Sequence, residues 1–199
     1  MMRAKSPIRS LRKARGDQRI GPVEWVRAGL ALLAKEGIDA VRVEPLAVHL
    51  GVTKGSFYWH FKDRAALHAE MLQAWRGIGT SDIIDRVDAG GGTGAERLGR
   101  LVVLSTSNDD AARLETAIRA WARSDTTVAE ALAQVDRKRL DYVVELLMES
   151  GLKRDVSRLR AKLLYLALIG GFFTEPSAEL ETNPDVWRGF VRTILLPPA

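Results

Sequence analysis

Apolar residues recur at helical spacing through most of the chain, and no convincing run alternates between apolar and polar residues as a strand would. Pro22, for example, suits a first helical position, and Val26, Leu30 and Leu33 form an apolar stripe that stops at Gly37. The same criteria predict about nine helices, at residues 22–36, 44–50, 53–59, 64–84, 95–105, 109–123, 127–150, 156–173 and 184–196. The predicted fold class is therefore all-α.

Two short predicted helices, residues 44–50 and 53–59, are separated by a turn at Leu50-Gly51-Val52. A glycine adopts such a turn without the steric cost that a side chain would add. Thr53 can cap the second of these helices. A short helix, a tight turn and a second short helix are typical of a helix-turn-helix, although periodicity alone also fits any tight helical corner.

The second short helix carries an unusual set of side chains for its length. Hydroxyl, amine, phenol, indole and imidazole groups follow one another, and Gly55 leaves the first turn unobstructed: Thr53, Lys54, Ser56, Tyr58, Trp59 and His60. DNA-binding helices use such groups on phosphates and base edges. The two aromatic rings could instead pack inside, and His60 could act as a cap. Adjacent helical positions point about 100° apart, so at least one of the rings should face outward.

The stretch from Trp25 to Leu67 resembles the DNA-binding signature of the TetR (tetracycline-repressor) family. The matching residues are Ala28, Gly37, Leu46-Ala47, the run from Leu50 to Phe61, and Leu67. The resemblance implies that Thr53, Lys54, Gly55, Ser56, Tyr58, Trp59 and His60 form the DNA-facing surface. Arg64 takes the place of the family's usual lysine as a phosphate contact. Where the family often has Thr or Ser before helix two, this chain has Val41-Arg42, so Arg42 is expected to reach a phosphate, or else to be merely solvated.

The resemblance also implies a domain organisation and a function. We expect a basic flexible arm at residues 1–20, a three-helix DNA-binding domain at 21–68, and a larger helical ligand-binding and dimerisation domain at 69–199. The expected function is a repressor that a small-molecule inducer releases from a pseudo-palindromic operator. A ligand-independent architectural protein, a corepressor-dependent regulator and an activator remain alternatives.

The positive charge of the chain is concentrated at one end. The formal net charge is +5, but residues 1–20 alone hold seven basic side chains against Asp17, which makes +6. Residues 21–75 hold six basic and six acidic side chains. Such an arm can neutralise DNA phosphates and release their counterions, or it can be a solubilising tail.

Composition argues against catalysis and export. The chain has no Cys and three His, and it shows no His-Glu metal motif and no phosphate-binding glycine loop. Asp82, Asp85 and Asp88 could suggest a cation site, but this spacing favours a solvated helix face. The longest apolar run, residues 163–173, is too short to span a membrane, and no signal peptide is recognisable. We expect a cytoplasmic non-enzyme without cofactor or metal.

The candidate ligand site lies in the C-terminal region. Trp121 falls on an inward face, as a core residue or a pocket wall. Arg139 lies near the centre of an apolar stripe that includes Tyr142, and a cation there needs a partner. That partner could be an internal carboxylate, an anionic ligand or water reached by snorkelling. Trp121, Arg139 and Tyr142 are the predicted ligand-binding residues.

The candidate dimer interface lies in the last two predicted helices, which form a four-helix interface in the resembled family. Gly170-Gly171 costs helix stability, a cost that close helix approach could offset. The predicted homodimer contacts are Leu166, Gly170, Phe173, Trp187 and Val191. Such a dimer would match operator half-sites about 34–36 Å apart.

Overall fold

The computed structural model describes residues 20–173 and 184–196, and every regular element in these ranges is helical. The predicted all-α class is therefore confirmed. The α-helices are α1 Pro22–Glu36, α2 Val43–Leu50, α3 Lys54–Tyr58, α4 Arg64–Arg76, α5 Asp82–Ala89, α6 Gly94–Thr106, α7 Asp109–Trp121, α8 Thr126–Glu149, α9 Arg154–Gly171 and α10 Pro184–Leu195. A 3₁₀ turn spans Ile38–Ala40, and a π-helical turn spans Gly77–Ser81. None of the described helices combines the length and the apolar character that a membrane crossing requires.

The described chain divides into two compact units. The N-terminal unit comprises residues 20–76 together with Asp110–Ala131, and the C-terminal unit comprises Gly77–Asp109 together with residues 132–173 and 184–196. The expected domain boundary between residues 68 and 69 remains a prediction about where the DNA-binding part ends.

Aromatic packing organises the N-terminal unit. Trp25 of α1 and Phe57 of α3 are fully buried, with ring centroids 5.2 Å apart in an edge-on arrangement. Phe61 stacks on Phe57 at 5.3 Å. Helix α1 packs against α2 and α4, and α2 packs against α3. Gly51 ends α2 in the left-handed conformation, at φ 70°, so the predicted turn between the two short helices is present.

The predicted helix at residues 64–84 was only partly right. It consists of α4, the π-helical turn and α5, which continues to Ala89. Gly77 and Gly79 weaken an α-helix at this point because glycine has a low helix propensity. Arg139 of α8 donates from Nε to Thr80 Oγ1 at 3.1 Å and from a terminal nitrogen to the Gly79 carbonyl at 3.0 Å. These hydrogen bonds stabilise the π-helical turn. They could not be predicted from hydrophobic periodicity, because they join residues about 60 positions apart in the sequence.

The core of the C-terminal unit is mainly aliphatic, with Tyr142 among its buried residues, and is formed by α5, α6, α8, α9 and α10. Leu98, Leu146, Leu147 and Leu164 are fully buried there. Val191 of α10 is also in this core, with 7% of its surface exposed. Val191 was predicted at the dimer interface; its side chain is buried within its own subunit, and its role in a dimer stays a prediction. The side chain of Trp187 lies outside the described residues.

Candidate nucleic-acid interface

One buried side chain fixes the orientation of α3. The helix has five residues, Lys54–Tyr58, and Phe57 is the buried one. Because Phe57 packs between Trp25 and Phe61, the opposite side of α3 faces away from the core. A helix this short has little stability of its own, so tertiary packing determines which residues it presents.

The outward side of α3 brings most of the predicted DNA-facing residues together. Trp59 is 87% exposed and Tyr58 is 61% exposed. The sequence predicted that at least one of the two rings faces outward, and both do. Ser56 is half-buried, and the other members of the set are exposed: Thr53, Lys54, Gly55 and His60. Two large exposed aromatic rings on one short helix are typical of an interaction site.

The two predicted phosphate contacts lie at helix starts. Arg42 precedes α2, and Arg64 is the first residue of α4; both are exposed. Neither Arg42 nor Thr53 makes a side-chain capping bond to the helix that it precedes. Asp63 caps α4 instead, accepting from the Ala66 amide at 2.8 Å. The guanidinium groups of Arg42 and Arg64 and the hydroxyl of Thr53 therefore take no part in helix capping.

Two residues of α2 extend this surface and were missed from the sequence. Glu44 Oε1 accepts a hydrogen bond from Lys54 Nζ at 2.5 Å, and both side chains are exposed. The bond from Lys54 lowers the pKa of Glu44. Val48 is 81% exposed on the same helix. The exposure of Val48 could have been suspected from helical spacing. The Glu44–Lys54 pair joins two helices, so the sequence around either residue gives no sign of it.

His60 has a protein partner on this surface. Its Nε2 atom lies 2.9 Å from the carbonyl oxygen of Ile20, which precedes α1. The next residue is held as well, since the Gly21 amide donates to Glu24 Oε2 at 2.9 Å. The path by which the chain enters α1 is therefore fixed beside the end of α3.

Trp121, the first predicted ligand residue, is buried in the N-terminal unit. Its ring meets His68 of α4 edge-on, with centroids 5.0 Å apart. Burial lowers the pKa of His68, and the charge of Arg64 lowers it further. His68 Nε2 is buried and has no hydrogen-bond partner among the described residues. The neutral imidazole is therefore the favoured form.

Arg139 and Tyr142, the other two predicted ligand residues, lie one turn apart on α8 in the C-terminal unit. Arg139 is half-buried and bonds to the π-helical turn as described above. Tyr142 donates to Asp88 Oδ1, and burial raises the pKa of its hydroxyl to about 12. The partners of Arg139 on the described residues include two neutral oxygen atoms of the protein, Thr80 Oγ1 and the Gly79 carbonyl.

Asp88 does not lie on a simple solvated face with Asp82 and Asp85. Arg97 bridges Asp88 at 2.7 Å and Glu149 at 2.6 Å, and Tyr142 also donates to Asp88. The hydrogen bonds from Tyr142 and Arg97 lower the pKa of Asp88. Within the described ranges, no group of His, Asp or Glu side chains has an arrangement that could hold a metal ion.

A second exposed surface runs along α9. Leu159, Leu163, Leu166 and Phe173 are between 52% and 64% exposed, and they recur at spacings of four, three and seven residues. Gly170 occupies the position that completes the stripe, and a Cβ atom added there would meet no other atom within 4 Å. We call these five residues the α9 stripe. Two of them, Leu159 and Leu163, were missed from the sequence.

The helix-turn-helix region matches a known family. Residues 26–71 match the sequence profile of "Bacterial regulatory proteins, tetR family". Over 70 residues, the chain is 31% identical to the tetracycline repressor protein class A from transposon 1721 of Escherichia coli. That match covers 35% of this chain and 32% of the repressor, so the chain spans about a third of the length of this relative.

Solved structures share the fold over most of the chain. A transcriptional regulator from Rhodococcus sp. Rha1 superimposes with a TM-score of 0.70 at 17% identity, over 88% of this chain and 94% of that one. The reduced form of NemR from E. coli gives 0.70 at 16% identity, over 89% and 99%. At these identities the likeness establishes the fold alone.

Proposed function

We propose that the chain is a regulator of the tetR family, on the match of its residues 26–71 to that family's profile, and that it acts as a homodimeric, operator-binding transcriptional repressor. The observation that carries the proposal is the outward surface of α3, where two exposed aromatic rings lie among hydroxyl and amine groups on a helix held by Phe57. The proposed DNA-facing residues are Arg42, Thr53, Lys54, Gly55, Ser56, Tyr58, Trp59, His60 and Arg64.

The chemistry of these groups suits a duplex. Lys54, Arg42 and Arg64 can each neutralise a phosphate, and hydroxyl groups bind phosphate oxygens or base edges. In the free protein, Lys54 is paired with Glu44. Binding must therefore exchange this carboxylate for a phosphate. Both partners are exposed, so the exchange costs little, because exposed ion pairs contribute about 0–1 kcal/mol.

A second copy of the chain is the proposed occupant of the α9 stripe. A stripe of aliphatic side chains at helical spacing packs well against an equivalent helix. The open space at Gly170 and Gly171 lets a second helix approach closely. Leu166, Gly170 and Phe173 keep their predicted interface role, and Leu159 and Leu163 join them. Dimerisation would set the distance between two copies of α3 and so match a pseudo-palindromic operator.

The proposed inducer acts on the C-terminal unit through Arg139. A ligand with an acceptor group, such as a carboxylate, would compete with Gly79 and Thr80 for the guanidinium. Losing these bonds would free the π-helical turn, which follows α4 directly along the chain. Turns of this kind are frequent at functional sites. The coupling of inducer and operator would then pass through a single continuous stretch of helix. Tyr142, one turn from Arg139 on α8, is a proposed ligand-binding residue of this site. Trp121 belongs to the N-terminal unit, and its predicted ligand-binding role stays a separate proposal.

The operator proposal is tested by selecting duplexes from a random pool with the whole protein, then measuring affinity for the selected site. We expect one pseudo-palindromic sequence. Tyr58→Ala should reduce affinity by about 30-fold or more, which corresponds to about 1 kcal/mol or more lost in each subunit. Val103→Ala, at an exposed apolar site on α6 in the C-terminal unit, is the matched control. Failure to select any sequence, or equal affinity of Tyr58→Ala and wild type, would contradict the proposal.

The inducer proposal is tested by a thermal-shift screen of small anionic compounds. A compound that binds the folded protein raises its melting temperature by mass action. We expect hits that stabilise the wild type, leave Arg139→Met unchanged and release the selected duplex. Hits that strengthen duplex binding would instead identify a corepressor. Hits that stabilise both proteins equally would remove Arg139 from the site.

A further inference from the structure

A groove on the C-terminal unit is bordered by positive charge and shares no residue with the DNA-facing surface, the α9 stripe or the site of Arg139. It has a volume of about 370 Å³ and lies where α5 and α10 pack on α6. One face of α6 lines it, and α5 and α10 each contribute an arginine. The described lining residues are Arg86, Gly99, Arg100, Val103, Leu104 and Arg188. None of these described residues is acidic.

The α6 face of the groove is open and largely apolar. Val103 is 48% exposed, and Leu104 is half-buried. A Cβ atom added at Gly99 would meet no other atom within 4 Å, so this glycine leaves room rather than a close contact between helices. Glycine also lowers the stability of a helix interior, and packing within the subunit does not require it here. An apolar face with open space above it suits the apolar part of a small ligand.

Arg100 is held at one end of the groove by the last turn of α5. Its Nε and Nη2 atoms donate to the Val87 carbonyl at 3.3 and 3.2 Å, and Nη2 also donates to the Gly91 carbonyl. These bonds leave the Nη1 donors of the guanidinium without a partner among the described residues. The observed partners are neutral, so Arg100 is a fixed cation whose charge no ion pair of the described residues compensates.

The acidic side chains closest to Arg100 along the helices are engaged by other groups. Glu96, one turn before Arg100 on α6, caps that helix by accepting from the Thr93 amide at 2.8 Å. Asp88, in the last turn of α5, is bridged by Arg97 at 2.7 Å. Both carboxylates are therefore committed to protein partners outside the groove.

Arg86 of α5 and Arg188 of α10 bring two further guanidinium groups to the groove, and both side chains are exposed. Among the described residues, no ion pair includes Arg86. A guanidinium matches a carboxylate or a phosphate group by paired, charge-assisted hydrogen bonds. Three arginines from three helices around an apolar face thus favour a ligand with an anionic head and an apolar body.

We propose that this groove binds a small amphiphilic anion, a phosphate monoester or a carboxylate on a compact apolar body. The head group lies among Arg86, Arg100 and Arg188, and the apolar body lies over Gly99 and Val103. The volume of the groove is near the lower end of the range for small-molecule sites, so the ligand is small. Such a ligand joins α5, α6 and α10 through one head group. The site depends on neither the proposed operator binding nor the proposed inducer site.

The first experiment measures the binding of simple probes to the whole protein by calorimetry in a phosphate-free buffer. The probes are hexyl phosphate, hexanoate, 1-hexanol and inorganic phosphate. We expect hexyl phosphate to bind at least about tenfold more tightly than 1-hexanol, which lacks the anionic head, and than inorganic phosphate, which lacks the apolar body. The tighter of hexyl phosphate and hexanoate identifies the preferred head group. Equal affinity for hexyl phosphate and inorganic phosphate would indicate an adventitious ion only, and binding of neither amphiphile would also overturn the proposal.

Two substitutions separate the charge of the groove from its space. Arg86→Gln removes an exposed guanidinium and should weaken hexyl phosphate binding at least about tenfold. Arg158→Gln removes an exposed guanidinium from α9 and should leave it unchanged. Gly99→Leu fills the groove with a better helix former, so it should abolish binding while the melting temperature of the free protein stays equal or rises. Arg86→Gln carries the test by itself if the bulk at Gly99 disturbs α6. Undiminished binding by Arg86→Gln would overturn the proposal.

Variants at the other cationic sites locate the probe. Arg139→Met alters the proposed inducer site, and Arg64→Gln alters the DNA-facing surface. We expect both variants to bind hexyl phosphate with wild-type affinity. A loss in either variant, together with unchanged binding by Arg86→Gln, would assign the anion to that other site and overturn the inference. No duplex is used, so a failure of operator binding leaves this test intact.

Hydrogen exchange gives a structural readout of the same binding. A head group that joins α5 to α10 should slow amide exchange at the end of α5 and along α10, because local opening of these helices becomes less favourable. Exchange in α3 should stay at the rate of the free protein. Slowing confined to the N-terminal unit would place the probe there and overturn the inference.

Discussion

The two units expose apolar side chains of different kinds, and the difference indicates different partners. At the end of α3, the exposed rings of Tyr58 and of Trp59, the residue that follows the helix, lie among hydroxyl and amine groups. On α9, the exposed side chains of Leu159, Leu163 and Leu166 have no polar atoms and follow helical spacing. The first surface suits a charged, hydrogen-bonding partner such as a duplex, and the second suits another aliphatic helix. Exposed apolar area therefore has to be read together with its neighbouring groups.

The largest expected effect comes from removing the residue that orients the α3 surface. Phe57→Ala should lower the free energy of unfolding by about 3–5 kcal/mol, because it leaves a cavity beside Trp25 and Phe61. Denaturant titration measures this change, and operator affinity should fall with it. The neighbouring Tyr58→Ala should change stability by no more than about 0.5 kcal/mol, because its ring is exposed. Equal destabilisation by both variants would remove the contrast between the buried and outward sides of α3.

The next effect concerns the α9 stripe. Leu163→Asp would place a carboxylate in the proposed interface, where an unpaired charge is costly to bury. We expect a folded monomer by sedimentation, with operator affinity reduced at least 100-fold because one subunit contacts only half of the site. Arg158→Asp, which lies on the flank of the same helix and is exposed, should remain dimeric.

Gly170→Leu probes the same interface by bulk rather than by charge. A Cβ atom added at Gly170 meets no other atom within 4 Å, so we expect helical content to stay at the wild-type level. Dimerisation should weaken by about 1–3 kcal/mol through overpacking, and somewhat more because both subunits carry the change. Loss of helical content would place Gly170 against its own core. An undisturbed dimer in both this variant and Leu163→Asp would move the interface elsewhere.

A smaller expected effect is a pH dependence of stability that arises in the N-terminal unit. All three histidines of the sequence lie in the N-terminal unit, and His68 has a lowered pKa because of burial. The unfolded chain therefore binds a proton at His68 more readily than the folded one does. The stabilising contribution of neutral His68 is complete above its ordinary pKa of 6.5 and is lost as the pH falls below that value. Thermal melting between pH 7.5 and 5 should show a decrease that His68→Gln flattens. A variant that keeps the full decrease would exclude His68 as its cause.

The smallest expected effect is on the α3 surface. Glu44→Gln removes a negative charge near the duplex and weakens the hold on Lys54. We expect affinity for the selected duplex to rise about two- to fivefold, with no measurable change in stability, since exposed pairs contribute about 0–1 kcal/mol. Titration of labelled duplex at low salt measures the change. Lower affinity in Glu44→Gln would mean that Glu44 organises Lys54 for binding rather than competing for it.

The sequence by itself determined the features that depend on neighbouring residues. Pro22 and Gly37 mark the ends of α1, and Gly51 ends α2 in the left-handed conformation that a glycine adopts at little cost. The run from Leu50 to Phe61 identified the helix-turn-helix, because its turn and its side-chain types are local properties. Asp125, directly before α8, is likewise a local capping residue, and its carboxylate accepts from the Thr127 amide at 2.9 Å.

Only the tertiary structure decided features that depend on contacts between distant residues. The π-helical turn is stabilised by Arg139, some 60 positions away, and the pairing of Lys54 with Glu44 joins two helices. Val191 and Leu163 are both aliphatic residues on helices near the end of the chain, yet the first is buried in its own core and the second is exposed. Helical periodicity identifies an apolar side chain on a face, but the packing of the other helices determines whether that face is already covered.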